Sequence, residues 1–352
     1  MQMKLPRLAE DIQAQPASLA CVLRQQCGKG RVGLLHAASL LRSAKRAVIT
    51  GIGASLFASI PLENLLCSHG IDAVTIEAAE LLHYRGNAYR DAVVIMVSRS
   101  GESVEIVKLL STLKGRLPII CVTNDAASTL TREADLSLRV GSLPDEMVAI
   151  QSYTGTLLAL HLLGRAMVDE LDSAEEEIAA LLPALPPFIA CQLEELQDWD
   201  TFMEGGAPVY LLGRGPSCGS ALEGALLFNE IAKAPAIGMP AASFRHGPVE
   251  VIDQDFEGLI FAPQGRTCDL NVGLARDLVR FGGRIRVIGP ARADAAGLAW
   301  CNTPACPEML APLVEIVPVQ VAALRLAVLK GLAVGSFRYT PQVTIDEATF
   351  SR

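Results

Sequence analysis

Residues 92–103 read AVVIMVSRSGES, six consecutive apolar residues, Ala92–Val97, followed by Ser98, Arg99, Ser100, Gly101, Glu102 and Ser103. An apolar run this short, rich in β-branched residues and bounded by a glycine and hydroxyls, predicts a strand buried on both faces. The segment beyond it opens a helix. Strand, tight loop and helix start are the repeating unit of layered α/β proteins with parallel sheets. The loop has two readings. Ser100 and Ser103 are good N-cap residues and could satisfy the helix start with no further role. Alternatively, the orphan N–H groups and partial positive charge of a helix start, joined by three hydroxyls and the charge of Arg99, form a cradle for a phosphate dianion.

The same plan occurs twice. Arg46–Thr50 reads as a strand, followed by Gly51, Ile52, Gly53, Ala54, Ser55 and a helical pattern to about His69. Val209–Leu212 reads as another, followed by the turn Gly213-Arg214-Gly215, with Ser217 expected to cap a helix running to about Lys233. Gly51 and Gly213 are then equivalent, 162 residues apart. Short strands and helices alternate in both halves. The expected fold is α/β, two tandem three-layer α/β/α domains each built on a mainly parallel sheet. The expected boundaries are an N-terminal helical segment at 1–30, a first domain with the phosphate loop at 31–170, an acidic helical connector at 171–207 and a second domain with its tail at 208–352. Pro183, Pro186, Pro187 and Gly205 break the connector. Moved by 162 residues, the Ser98–Ser103 loop falls on Ile260–Gly265, which has no hydroxyl. A mere cap has little reason to differ between the copies, so phosphate binding is expected in the first half only. The two G-x-G turns lack the third glycine and downstream acid of a dinucleotide site.

Composition agrees with a binder of small molecules. A chain of 352 residues exceeds the usual single core, and 51% hydrophobic but only 5% aromatic residues predict an aliphatic interior. The net charge of −8, without a dense Lys/Arg cluster, argues against nucleic acid and anionic membranes as partners. Nine cysteines form no C-x-x-C pair and do not stand at metal-ligand spacing with the five histidines, so they read as reduced structural thiols, with no metal and no cofactor expected. The N-terminal residues carry Arg7, Glu10 and Asp11 without an apolar segment, which makes the cytoplasm the expected compartment. Two long apolar stretches, 147–168 and 314–334, contain Gln151, His161, Arg165, Glu315, Arg325 and Lys330, costly in hydrocarbon. They read as buried amphipathic helices.

Glu223 and Glu230 lie seven apart, on one face of the second-half helix, amid Ala221, Leu222, Ala225, Leu226 and Ile231. Burial would raise their pKa and make one a general base, whereas a solvated stripe with Asn229 and Lys233 is the plainer alternative. His246 precedes a Gly-Pro turn, an irregular position typical of function. His161 reads as a satisfied core residue, and His36, His69 and His83 belong to no evident constellation.

The segments GRGPSCGSALEGALLFNEIAKA (213–234) and SFRHGPVEVID (243–253) resemble the second sugar-isomerase (SIS) domain of glucosamine-6-phosphate synthase. EDIQAQP (10–16), GIGAS (51–55), SRSGES (98–103) and LAPLVEIVPVQVAALRLAVLKG (310–331) resemble matching segments of that enzyme's isomerase moiety. The resemblance implies that Ser98, Ser100 and Ser103 hold a 6-phosphate beside Arg99, and that Gly53 and Ser55 contact the substrate. It also implies that Glu230 moves a proton between C1 and C2 of the open-chain sugar, with Glu223 as a supporting acid. His246 would assist ring opening from the neighbouring subunit of a homodimer. Three features depart from the synthase: Leu227 and Gln151 stand where it has lysines, and residues 338–352 contain no lysine to form a Schiff base. No glutaminase domain is expected ahead of these motifs, so glutamine-dependent synthesis ranks last. The expected activity is isomerisation of a hexose 6-phosphate, amino or amine-linked, coupled to deamination or deglycation. The alternatives are a simple phosphosugar isomerase and a sensor of a phosphorylated sugar or amino sugar that binds without turnover.

Overall fold

The computed structural model describes residues 7–203, 207–334, 336–339 and 343–349. The chain divides into two compact units, one of Ala17–Ala180 with Phe337–Arg352, the other of Met1–Pro16 with Leu181–Ser336. The tail expected with the second domain therefore belongs to the first unit. There the amide of Val104 donates to the Thr344 carbonyl at 3.0 Å, and Glu347 pairs with both His83 and Lys108 at 2.5 Å. The N-terminal segment expected as one piece is likewise shared between the units, and the connector divides at Leu181.

In the first unit the strands are β1 (Arg46–Gly51), β2 (Ala73–Glu77), β3 (Ala92–Val97), β4 (Ile119–Thr123) and β5 (Leu136–Arg139), all parallel, in the order β2-β1-β3-β4-β5. All six residues of β3 are buried, as its apolar run predicts. Gly51 ends β1 where a Cβ would stand 2.9 Å from the Val97 carbonyl, so glycine lets the ends of β1 and β3 approach. The chain runs outward from β1 to β2 and then crosses to β3, which places the topological switch point between β1 and β3.

The second unit repeats this order with β6 (Val209–Gly213), β7 (Ala236–Pro240), β8 (Glu257–Phe261), β9 (Arg284–Gly289) and β10 (Ala299–Asn302), arranged β7-β6-β8-β9-β10. Gly213 ends β6 as Gly51 ends β1. The repeat then drifts: Val97 and Phe261, the last residues of β3 and β8, are 164 apart rather than 162. The counterpart of Ser98–Ser103 is thus Ala262–Thr267, because Ile260 and Phe261 still belong to the strand. It contains one hydroxyl, Thr267, the N-cap of helix Cys268–Arg280, as Ser103 is the N-cap of Val104–Leu113.

Helices cover the sheets. Leu109, Leu110 and Leu113 pack with Val94 and Met96 in the first unit, and Val272, Ala275 and Leu278 with Leu212 and Ile260 in the second. The helices Gln151–Met167 and Pro312–Leu329 are not amphipathic as expected. The first is buried at every position except Arg165, and the second along Pro312–Leu324. The stretch Glu308–Leu329 is long and apolar enough to cross a membrane, and 78% of its apolar window is buried inside the fold. Its charged Arg325 is neutralised by Asp200 at 2.6 Å. His161 is a core residue, but its Nε2 has no hydrogen-bond partner among the described residues, and burial pushes its pKa down to about 3, leaving it neutral. The connector prolines sit in a 3-10 turn (Pro183) or the first turn of Leu185–Glu194 (Pro186, Pro187), where a missing N–H costs little. Gly205 lies outside the described residues.

Candidate functional site

β1 and β3 deliver the Gly51–Ser55 and Ser98–Ser103 loops to the same end of the first sheet, at its switch point, where open α/β sheets bind ligands. Gly53 adopts φ 53°, a conformation suited to glycine, and Ser55, half-buried in the turn Ala54–Phe57, donates its amide to the Ile52 carbonyl at 3.2 Å. Ser98 is buried, its Oγ accepting from the Gly101 amide at 3.0 Å, while Ser100 Oγ accepts from Glu102 at 3.2 Å. Each hydroxyl that accepts an amide keeps its own proton for a further acceptor, such as a phosphate oxygen. The helix starts at Val104, later than the sequence suggests, and Ser103 makes no side-chain cap bond. The serines therefore shape the loop rather than cap the helix. Gly101 has φ 65°, and a Cβ there would lie 2.4 Å from Ser128 Oγ.

Arg99 donates to the Met147 carbonyl at 3.2 Å and lines an open cleft of about 520 Å³ with Ser100, Asn124, Asp125 and Asp145. Burial raises the pKa of Asp145, opposed by donors from Ser152 and Gln151 and by the charge of Arg99. Its carboxylate accepts from the Gln151 amide at 2.6 Å and the Ser152 amide at 3.1 Å, satisfying the start of helix Gln151–Met167. Asp145 escapes a sequence reading because an irregular loop separates it from that helix. The tail reaches this cleft too, through Val343.

The second unit treats the corresponding place differently. The Arg266 amide donates to Glu308 Oε2, and the same carboxyl group packs on Gly265. Ser217, expected as a cap, is the first helical residue after Pro216, and its hydroxyl donates to Glu315 at 3.0 Å, joined by Ser220 at 2.6 Å. Burial pushes the pKa of Glu315 up to about 7, the two serines opposing it.

That helix carries the expected acids. Glu223 is buried in Ser217–Leu227, whereas Glu230 is half-buried in a π-helical turn, Phe228–Ala232, that follows directly. The two acids thus differ in burial and in the helical turn that carries them; π turns of this kind recur at functional sites. Lys233, expected as a solvated charge, is half-buried in the left-handed conformation, φ 49°, and its ammonium donates to the Glu230 carbonyl and, at 2.7 Å, to the Ser336 carbonyl. Leu227 is fully buried. His246 is exposed, just after the turn Ala241–Phe244 and before Gly247 at φ 126°. The structure thus groups Gly53, Ser55, Ser98, Arg99, Ser100 and Ser103 in the first unit, and Glu223, Glu230 and His246 in the second. Among the described residues, no group of three or more His, Cys, Asp or Glu is placed to hold a metal ion.

Residues 40–166 and 207–330 each match the SIS domain. Over 84% of its length the chain is 30% identical to glutamine–fructose-6-phosphate aminotransferase of Pyrococcus horikoshii, covering 50% of that protein. It spans about half the length of the curated relatives it matches. Its fold is that of the C-terminal domain of glucosamine-fructose-6-phosphate aminotransferase from Francisella tularensis, with a TM-score of 0.82 at 19% identity, covering 95% of this chain and 98% of that one. It is also that of tagatose-6-phosphate ketose/aldose isomerase from Escherichia coli, with a TM-score of 0.74 at 20% identity, covering 97% and 96%.

Proposed function

This chain belongs to the SIS-domain family, and we propose that it is a phosphosugar isomerase, moving hydrogen between C1 and C2 of an open-chain hexose 6-phosphate. The observation that carries this reading is the hydroxyl loop at the switch point of the first sheet, whose counterpart in the second half is filled by Glu308. Ser98, Ser100 and Ser103 hold the phosphate with the charge of Arg99 nearby, and Gly53 and Ser55 contact the sugar. Glu230 takes the proton from one carbon of the enediol and returns it to the other, Glu223 supports it, and His246, from the partner subunit of a homodimer, assists ring opening. The names of the similar proteins point to ketohexose 6-phosphates, fructose and tagatose, as the substrate class.

Deamination or deglycation of an amine-linked sugar is the finer alternative. It stands second because Leu227 is buried hydrocarbon and the Lys233 ammonium is engaged by carbonyls, whereas aldose/ketose exchange needs neither amine. A panel of hexose, hexosamine and fructosamine 6-phosphates, screened by thermal shift and followed by turnover, tests the proposal, since a ligand of the native state raises stability. The expected hit is a ketose or aldose 6-phosphate converted to its isomer without release of ammonia. Stabilisation by none of the phosphosugars overturns the proposal, ammonia release selects the second reading, and tight binding without turnover makes the chain a sensor.

A further inference from the structure

The edge of the second sheet holds a cavity that the proposed isomerisation does not use. It has a volume of about 560 Å³, within the range of small-molecule sites, and lies where the helix Leu185–Glu194 and the 3-10 turn Leu196–Trp199 meet β9 and β10. The chain has two tryptophans, Trp199 and Trp300, and both line this cavity. The Trp300 indole is held by donation to the Ala295 carbonyl at 3.1 Å. Arg286 lies over the Trp199 ring at 4.5 Å and donates to the Asp198 carbonyl, so its guanidinium is part of the wall.

Two polar side chains in the lining are buried, Gln192 at 9% exposure and Thr303 at 5%. Neither the Gln192 amide nor the Thr303 hydroxyl has a hydrogen-bond partner among the described residues. Both residues line the cavity, so their polar atoms are open to a ligand with its own donors and acceptors. Between them they offer both donors and acceptors, the complement of an N–H/C=O edge. Glu195 and Asp198 outnumber Arg286, which disfavours anions such as sugar phosphates. The thiols are not nucleophiles or metal ligands: a hydrogen bond to Glu195 raises the pKa of Cys191, and burial raises that of Cys301.

We propose that this cavity binds an uncharged heteroaromatic ligand of the nucleobase or nucleoside class, its ring against Trp300 and its amide-type edge paired with Gln192 and Thr303. Because both tryptophans line the site, their emission reports its occupancy directly. Adenosine, guanosine, cytidine and uridine are titrated into the full chain, with fructose 6-phosphate as competitor. At least one nucleoside is expected to quench the emission saturably, unaffected by fructose 6-phosphate, and to bind about tenfold more weakly to Gln192→Leu and to the near-isosteric Thr303→Val. No saturable change with any of the four up to their solubility limits, displacement by fructose 6-phosphate, or unaltered affinity in a folded variant overturns the proposal. Should Gln192→Leu fail to fold, Thr303→Val decides the second arm and the wild-type titration the first.

Discussion

The Arg266 amide donates to the Glu308 carboxylate at 3.1 Å, and a Cβ on Gly265 would stand 2.3 Å from that carboxyl carbon, so the second half's loop holds an anion of its own. The first half offers the same strand–loop–helix geometry with hydroxyls in place of the internal carboxylate. One fold, duplicated, thus carries one loop lined by hydroxyls and one whose amide is paired with a carboxylate of the chain itself.

Phosphate recognition should accordingly live in the first half alone. Charge-assisted hydrogen bonds contribute roughly 1.5–3 kcal/mol, so Ser100→Ala should weaken binding of a 6-phosphosugar by about tenfold or more, measured by calorimetry. The weak affinity for the unphosphorylated sugar should scarcely change. Equal losses for both ligands would show that the loop does not read the phosphate.

Glu315 should impose a pH dependence on stability. In the folded chain its pKa is about 7, against an ordinary value of 4.5. Between these values the folded chain keeps a proton that the unfolded chain releases. The contribution is therefore full below about pH 4.5 and lost as pH rises toward 7, amounting to on the order of 3 kcal/mol. Urea melts at pH 5 and pH 7.5 should show the wild type losing more stability over that interval than Glu315→Gln. Equal losses would place the Glu315 proton elsewhere.

How far the chain was legible before folding differs by feature. Strand β3, and the glycines that end β1 and β6, are local signals, an apolar run and a close backbone approach, and both stand where the residues put them. The two-residue drift between β3 and β8 leaves no local mark, and it moved the apparent counterpart loop from Ala262–Thr267 back into a strand. Long-range partnerships were equally hidden: Glu308 reaches Arg266 across 42 residues, and Glu347 reaches Lys108 across 239. The π turn that separates Glu230 from Glu223 has no signature in the sequence, because the apolar spacing around it reads as ordinary helix.

Sharing of sites across a homodimer is checked by mixing two inactive proteins, Glu230→Gln and His246→Ala. If His246 acts in the partner's site, heterodimers hold one intact site and part of the activity returns. No recovery after demonstrated subunit exchange would put both residues in one subunit's site.

Borohydride reduction during turnover should trap no sugar on the protein. A Schiff base needs a neutral amine, and the Lys233 ammonium instead donates to the Glu230 and Ser336 carbonyls. A reduced adduct on Lys233 or Lys330, found by mass spectrometry, would contradict non-covalent proton transfer.

The most direct test of the account is hydrogen exchange at C1 and C2 of a bound hexose 6-phosphate in deuterium oxide, followed by NMR. A proton shuttle at Glu230 predicts deuterium at those carbons with the wild type, and its loss in Glu230→Gln while affinity is largely kept. Undiminished exchange in Glu230→Gln, or no exchange with any phosphosugar that binds tightly to the wild type, would contradict it.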